Sequence, residues 1–493
     1  MRQSRQVALY CAVALAIAIP FVAMLAFWAG IDGTRGWTAS VPGMDNQPPT
    51  RPVSIGRVSF GSWHRAFDAP AEKERREGFW PGFRGPRRDN RATSLSGKPL
   101  AVPASMGESL SGSRLLWQRT LGEGHAAPAV FGTRVYLLDY DEDARRELVR
   151  AFRLSDGEEL WQTGYPCVLK RNHGFTRSGP AVTETSVITL GAEGHVMALN
   201  VADGTVRWGV DLVNDWKAAI PSWYTAQCPL VDNGTVVLAP ASTDAMMIGL
   251  DETTGKLLWK APNPQGWKLS HSSVMKARLD GVDQYVYAAI GGLVGVAAGG
   301  AEGSGGIAPG TLLWSHPFSA NVVAPSPLVY GNRILQSAGY GAGSVCLEVT
   351  NESGEWRVRE IARYVPSAGL ASEQQTPIAA EDDLILSVQP KDAGAWRDQL
   401  VAAGPSGEIL WSSGSKLRLG LGPYALAGDR LFALNDDGEL FMIRVGRDGW
   451  TLLDRRVIIE QGQDAWGPLV LTASGILLAR DSTRLVCYEL WEE

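Results

Sequence analysis

AFRLSDGEELW (151–161), ALNVADGTVRW (198–208) and GLDETTGKLLW (249–259) are three copies of one pattern in a chain of 493 residues. Each opens on a small residue, turns at Asp-Gly or Thr-Gly, and ends in a short alternating run that closes on Trp. The turn needs a positive φ, which Gly adopts without Cβ strain. The glycines are Gly157, Gly204 and Gly255, each four residues before its Trp. Gly310 and Gly407 hold the same offset from Trp314 and Trp411. With Trp117, Trp161, Trp208, Trp259, Trp356 and Trp450, the tryptophans recur about every 48 residues, the period of propeller blades and some helical arrays. On an outermost strand, a large flat side chain would cover the seam between neighbouring blades.

Between the tryptophans lie short strand patterns separated by Gly, Asp and Asn turns. Many units open on an X-Pro strand, as in GPAVTETSVITLG (179–191), CPLVDNGTVVLAP (228–240), SPLVYGNRILQSA (326–338) and TPIAAEDDLILSV (376–388). Four antiparallel strands per unit make a propeller blade. The last unit supplies three strands, whereas LLWQRTL (115–121) is a Trp strand with none before it. Pairing the two completes a blade from both ends of the chain and removes an open sheet edge. The expected fold is therefore all-β, an eight-bladed propeller of four-stranded blades over 115–493. Seven blades is the alternative if the irregular Trp356 or Trp450 unit is not a blade.

The pattern Ala…Asp-x-x-Thr-Gly-x-x-x-Trp resembles the pyrroloquinoline-quinone (PQQ) repeat family of propellers. WPGFRGPRRD (80–89) and GYGAGSVCLEV (339–349) are similar to its non-enzymatic envelope branch, which includes the propeller subunit of outer-membrane protein assembly. The resemblance implies a scaffold that binds a protein, peptide or ligand in the cell envelope. The alternative it carries is a PQQ-dependent dehydrogenase or another small-ligand enzyme. Such enzymes hold the quinone over a Trp floor, with an adjacent Cys pair, Ca²⁺ and an Asp base. This sequence has no adjacent Cys pair and no CxxCH haem motif. The expectation is accordingly no enzyme activity and no cofactor, PQQ included.

Ahead of the repeats, Val7–Gly30 runs for 24 residues without a charge, after Arg2 and Arg5. That is long enough to span a bilayer, and the arginines hold residues 1–6 in the cytoplasm. We expect a transmembrane signal anchor at 7–30 in a bacterial inner membrane, with the propeller in the periplasm; a cleaved signal peptide is the alternative. Residues 31–78 are Pro- and Gly-rich, as in a linker. Residues 79–114 are expected to form an extended strap, with Trp80 and Phe83 packed and Arg84, Arg87 and Arg88 facing water or acidic partners. The net charge of −6 gives no reason to expect nucleic-acid binding.

Segments just before the inner strands should line one mouth of the central channel. Glu123, His125, Arg171, His173, Arg177, Trp223, Tyr224, Gln227, Lys268, His271, Glu373, Gln374 and Trp466 are the candidates to converge there. Mixed charged and aromatic groups round a concave mouth suit a polar ligand or peptide. The histidines show no close HxH or HxxxH spacing, so no metal is assigned to them. Asp139–Asp143 resembles a calcium loop but has Ala144 and Arg150 where Gly and Glu are required. Gly339, Gly341 and Gly343 lack the Lys-Ser/Thr of a phosphate loop. No envelope partner is identified by the sequence, and the oligomeric state stays open.

Overall fold

Alternating apolar runs punctuated by Gly and Asp turns can bury only one strand face at a time, and the chain resolves this by stacking twisted sheets around an axis. In the computed structural model, residues 16, 18–22, 24, 58–93, 110–299 and 306–491 are described. The chain divides after Gln47. Of the first unit a few helical positions between 16 and 24 are described; among the described residues, every strand belongs to the second unit. The expected anchor lies almost wholly outside the described residues, as do the linker up to 57 and the strap from 94 to 109. Among the described residues, no helix is long and apolar enough to cross a membrane.

There are eight antiparallel blades. Blade 1 runs Ala129–Gly132, Arg134–Asp141, Arg146–Arg153 and Glu159–Pro166; blade 2 runs Ala181–Val182, Ser186–Leu190, His195–Asn200 and Val206–Asp211. Blades 3 to 7 open at Leu230, Met275, Leu328, Ile378 and Tyr424. Blade 8 takes Val470–Leu471, Ile476–Arg480 and Arg484–Glu489 from the C-terminal region and Arg114–Thr120 from before blade 1. Trp117 faces Cys487 and Gln118 faces Val486 across the closing ladder.

Every blade carries the same register shift between its third and fourth strands. Just after the skipped residue come Trp117, Trp161, Trp208, Trp259, Trp314 and Trp411, each opposite a small residue such as Ala151, Ala198 or Gly249. In blades 5 and 7 that place is taken by Ala362 and Asp454. Trp356 and Trp450 sit earlier in the same long outer strands, opposite Asn351 and Val445. These two units are full blades, and their irregular spelling reflects where along the strand the Trp falls.

The repeat glycines have a second role beside their positive φ. A Cβ on Gly157 would strike the Trp117 ring, one on Gly204 the Trp161 ring, and one on Gly255 the Trp208 ring. Each Trp therefore lies flat on the turn of the next blade. Trp117 Nε1 also donates to Leu154 O and Trp208 Nε1 to Glu252 O, at 2.7 and 2.8 Å. Gly plus Trp is an inter-blade lock.

Candidate functional site

The segment 78–93 closes one side of the channel. Gly78–Trp80 adds a strand beside Ala129–Gly132 of blade 1. Pro81 O then accepts from Val182 N of blade 2 at 2.7 Å, and Asn90 O accepts from Leu426 N of blade 7 at 3.0 Å. The chain thus spans the ring from one side to the other. Trp80 packs in the core. Arg84 and Arg88 do not face water as the sequence suggested. Arg84 is buried and donates to Thr376 O (2.8 Å), Pro377 O (2.9 Å) and Arg88 O (3.0 Å). Arg88 donates to Pro229 O (2.6 Å) and Val274 O (3.2 Å). Burial pushes both guanidinium groups down to about 10, still protonated at neutral pH. The two cations satisfy carbonyls at the inner ends of blades 3, 4 and 6, which face the axis and have no ladder partner. Arg87 is the exposed one of the three, beside Asp89.

Around this plug runs a belt of blade-to-blade bonds. Gly179 N donates to Cys228 Sγ (3.1 Å) and Cys228 N to Ser273 Oγ (2.9 Å). Ser273 N donates to Ser326 Oγ (2.9 Å), and Ser326 N to Thr376 Oγ1 (2.8 Å). In blades 3, 5 and 6 these are the residues before the inner-strand Pro, positions set extended by the ring that follows them.

Above the plug is a cavity of about 300 Å³. The candidates His125, His173, Arg177, Trp223, His271, Glu373, Gln374 and Trp466 line it together. The other five lie elsewhere. Glu123 and Arg171 form a surface ion pair at 3.1 Å. Tyr224 is buried, its hydroxyl bridging Lys170 N and O at 2.8 Å each. Gln227 is fully buried, exchanging two bonds with the Ala239 backbone. The Lys268 backbone pairs with Ile290. Sequence reasoning missed Phe83, Arg84 and Asn90 from the strap, the belt residues Cys228, Ser273 and Thr376, and Tyr340 and Lys391. The X-Pro spelling of the unit openings was the available signal for Cys228 and Thr376.

The cavity wall is cationic and aromatic. His125 stacks on Trp466 with centroids 5.2 Å apart, and Trp466 Nε1 donates to Asp436 Oδ1 at 2.8 Å. Burial, then Arg480 and Arg177, hold His125 down to about 3. Burial holds His271 down to about 4, and its Nε2 sits 2.7 Å from Ser222 O. Both rings are therefore neutral at pH 7. His125 Nδ1, His271 Nδ1 and Arg177 Nη1 are buried and meet no hydrogen-bond partner among the described residues. Burial also moves the Glu373 carboxyl above its usual range. At the rim, Trp223 and Tyr340 stack at 6.1 Å and 14°. Both have positive φ, as does His173, a costly conformation for side chains with a Cβ. Tyr340 is 61% exposed. Such a cup can hold an extended polar or acidic segment by stacking on its aromatic rings and by the charge of its Arg and Lys side chains. A group with metal-ligand chemistry, Glu147, Cys167 and His195, lies outside this cavity.

Residues 145–397 match the family model described as outer membrane protein assembly factor BamB. The chain belongs to the BamB family. Over 154 residues this BamB-family propeller is 28% identical to the outer membrane protein assembly factor BamB of Yersinia pestis. That stretch is 29% of this chain and 35% of that protein, so the match spans about a third of the relative's length. Among solved structures it superposes on BamB from Moraxella catarrhalis with a TM-score of 0.50 at 14% identity, covering 77% of this chain and 98% of the other. A quinohemoprotein alcohol dehydrogenase from Pseudomonas putida gives 0.55 at 13% identity, over 84% and 81%. A europium-containing methanol dehydrogenase gives 0.57 at 12%, over 84% and 98%. At these identities the structural likeness is one of fold, shared by scaffold and enzyme alike.

Proposed function

We propose that this BamB-family propeller is a non-enzymatic scaffold of the cell envelope, held in a bacterial inner membrane through residues 7–30 with its ring in the periplasm. Its channel mouth receives an extended segment of a partner protein, and it works without PQQ or a resident cofactor. The observation that carries the reading is the cup itself. The strap forms its floor, Trp223 and Tyr340 form a stacked aromatic rim, and His125, Arg177, His271 and Glu373 line its wall. Stacked aromatics with fixed backbones lose little entropy on binding, which suits an anchor for a chain segment.

A photo-crosslinking residue at position 340 of the full chain, in its membrane, tests this. A discrete protein adduct is expected, and Trp223→Ala should reduce it severalfold. No adduct from 340, or adducts that form equally well from outer-strand position 258, would refute the mouth as the docking place. PQQ titration followed by Trp fluorescence addresses the enzyme alternative: saturable micromolar quenching with alcohol-dependent dye reduction would overturn the scaffold reading.

A further inference from the structure

Glu147, Cys167 and His195 meet in the seam between blades 1 and 2. Each offers one ligand atom, these atoms lie within 4.8 Å of one another, and all three residues are buried. Topology assembles them. Glu147 is the second residue of the third strand of blade 1, and Cys167 directly follows its fourth. The Cys167 N to Arg145 O bond, 2.9 Å, closes that hairpin and sets the thiol beside the carboxylate. His195 begins the third strand of blade 2.

Three features are those of a metal centre. First, Glu147 has no exposed surface, and among the described residues no Lys or Arg pairs with it. Its oxygens accept from the Tyr165 hydroxyl and from Ala192 N (2.8 Å). A buried carboxylate without a cation is costly unless it takes up a proton, and a divalent ion can offset the same cost. Second, Asp211 Oδ2 stands 3.8 Å from His195 Nε2. Asp211 is itself fixed by Val213 N and Asn214 N at 2.9 and 3.0 Å. At 3.8 Å the two are not hydrogen-bonded, but a small shift of the ring would bring this carboxylate into the outer-shell position behind a metal-ligating imidazole. Third, the group is closely approached by backbone and covered by an aromatic ring. A Cβ on Gly191 would strike the Glu147 carboxylate and the Tyr165 hydroxyl. Phe60, from the segment before the propeller, covers the group edge-on, 5.6 Å from Tyr165 and 6.0 Å from His195.

We propose that Glu147, Cys167 and His195 bind one divalent transition-metal ion, Zn²⁺ by donor preference, which staples blade 1 to blade 2 beneath Phe60. One sulfur, one nitrogen and one oxygen donor suit Zn²⁺ and Co²⁺ and not Mg²⁺ or Ca²⁺. Binding releases the Cys167 thiol proton to solvent, and no electron moves. The site is independent of what docks at the channel mouth.

The test uses the full chain in detergent, with Cys11→Ser, stripped by a chelator and titrated with Co²⁺. The expected result is one equivalent bound, a thiolate-to-Co²⁺ charge-transfer band, and displacement by Zn²⁺. Cys167→Ser should abolish the band and cut Zn²⁺ affinity at least about 100-fold, more than the loss of an outer-shell partner. Asp211→Asn should keep the band and cost about 10–100-fold. Cys346→Ser should change neither. Glu147→Gln keeps the side chain's size, so its thermal midpoint in chelator reports folding separately from its weakened metal binding. No one-equivalent Co²⁺ spectrum in the Cys11→Ser protein, or a band that survives Cys167→Ser, would overturn the proposal.

Discussion

His125 and His271 show how one residue at the channel mouth couples burial to pH. Unfolded, each takes a proton near 6.5; folded, burial holds them to about 3 and about 4. Below pH 6.5 the unfolded chain therefore binds more protons than the fold, so stability falls with acidification and is complete above 6.5. At pH 5 each ring costs about 2 kcal/mol. We expect the urea midpoint to fall from pH 7 to pH 5, with His125→Gln and His271→Asn each flattening the slope. An unchanged slope in the double variant would show the rings titrate freely. Both histidines were legible in the sequence because they precede an inner strand by a few residues. Arg84 was not, because its role depends on carbonyls nearly 300 positions away. An arginine in a Gly- and Pro-rich stretch looks solvated until the fold shows which acceptors it meets. Glu147, Cys167 and His195 were hidden for the same reason, being joined only by hairpin closure and a blade seam.

At the level of the element, the Trp-on-Gly lock predicts unequal costs for equal substitutions. Gly204 and Gly234 have nearly the same φ, +75° and +73°, but a Cβ meets the Trp161 ring at the first and nothing within 4 Å at the second. Gly234→Ala should cost about 1–2 kcal/mol from backbone strain alone. Gly204→Ala adds displacement of a packed ring, for about 2–5 kcal/mol in all. Equal midpoints in urea would mean the ring contact carries no weight. The strap gives a second case: Arg84→Met leaves the Pro377 carbonyl buried without its donor and Thr376 O with only the longer Tyr424 hydroxyl bond, a loss of about 2–4 kcal/mol. Lys should not rescue it, because a single ammonium cannot reproduce the fork. Hydrogen exchange in Tyr424–Ala427, which pairs with the strap at Leu426, would report the release. The lock was readable from sequence where Gly and Trp keep their four-residue offset. Where the hairpin lengthens, as in Glu355–Tyr364 and Gly449–Val457, the Trp slides along the strand and the spelling loses its register while the blade survives.

For the whole molecule, the question is whether the eighth seam is as strong as the others. Arg114–Thr120 is separated by more than 350 residues from Arg484–Glu489, so forming that ladder carries a loop-closure cost the local hairpins do not. A linear array would let the terminal unit fray on its own. A closed ring flanks every blade on both sides, so no seam can open without the rest losing its edge protection. Trp117 bridges blade 8 to blade 1 through Leu154 O, and Trp161 crosses the next seam onto Gly204. If closure is integral, Trp117→Ala and Trp161→Ala should each cost about 3–5 kcal/mol. Both variants should keep a single unfolding transition seen identically by near-ultraviolet dichroism and by hydrogen exchange in Ile476–Arg480. An early, separate melting of blade 8 in the Trp117 variant would mean that the ring is an array of seven blades with a loosely docked eighth. The channel mouth would then be a flexible opening, and the His125–Trp466 stack in its wall could not be maintained, because the two rings lie on either side of that seam.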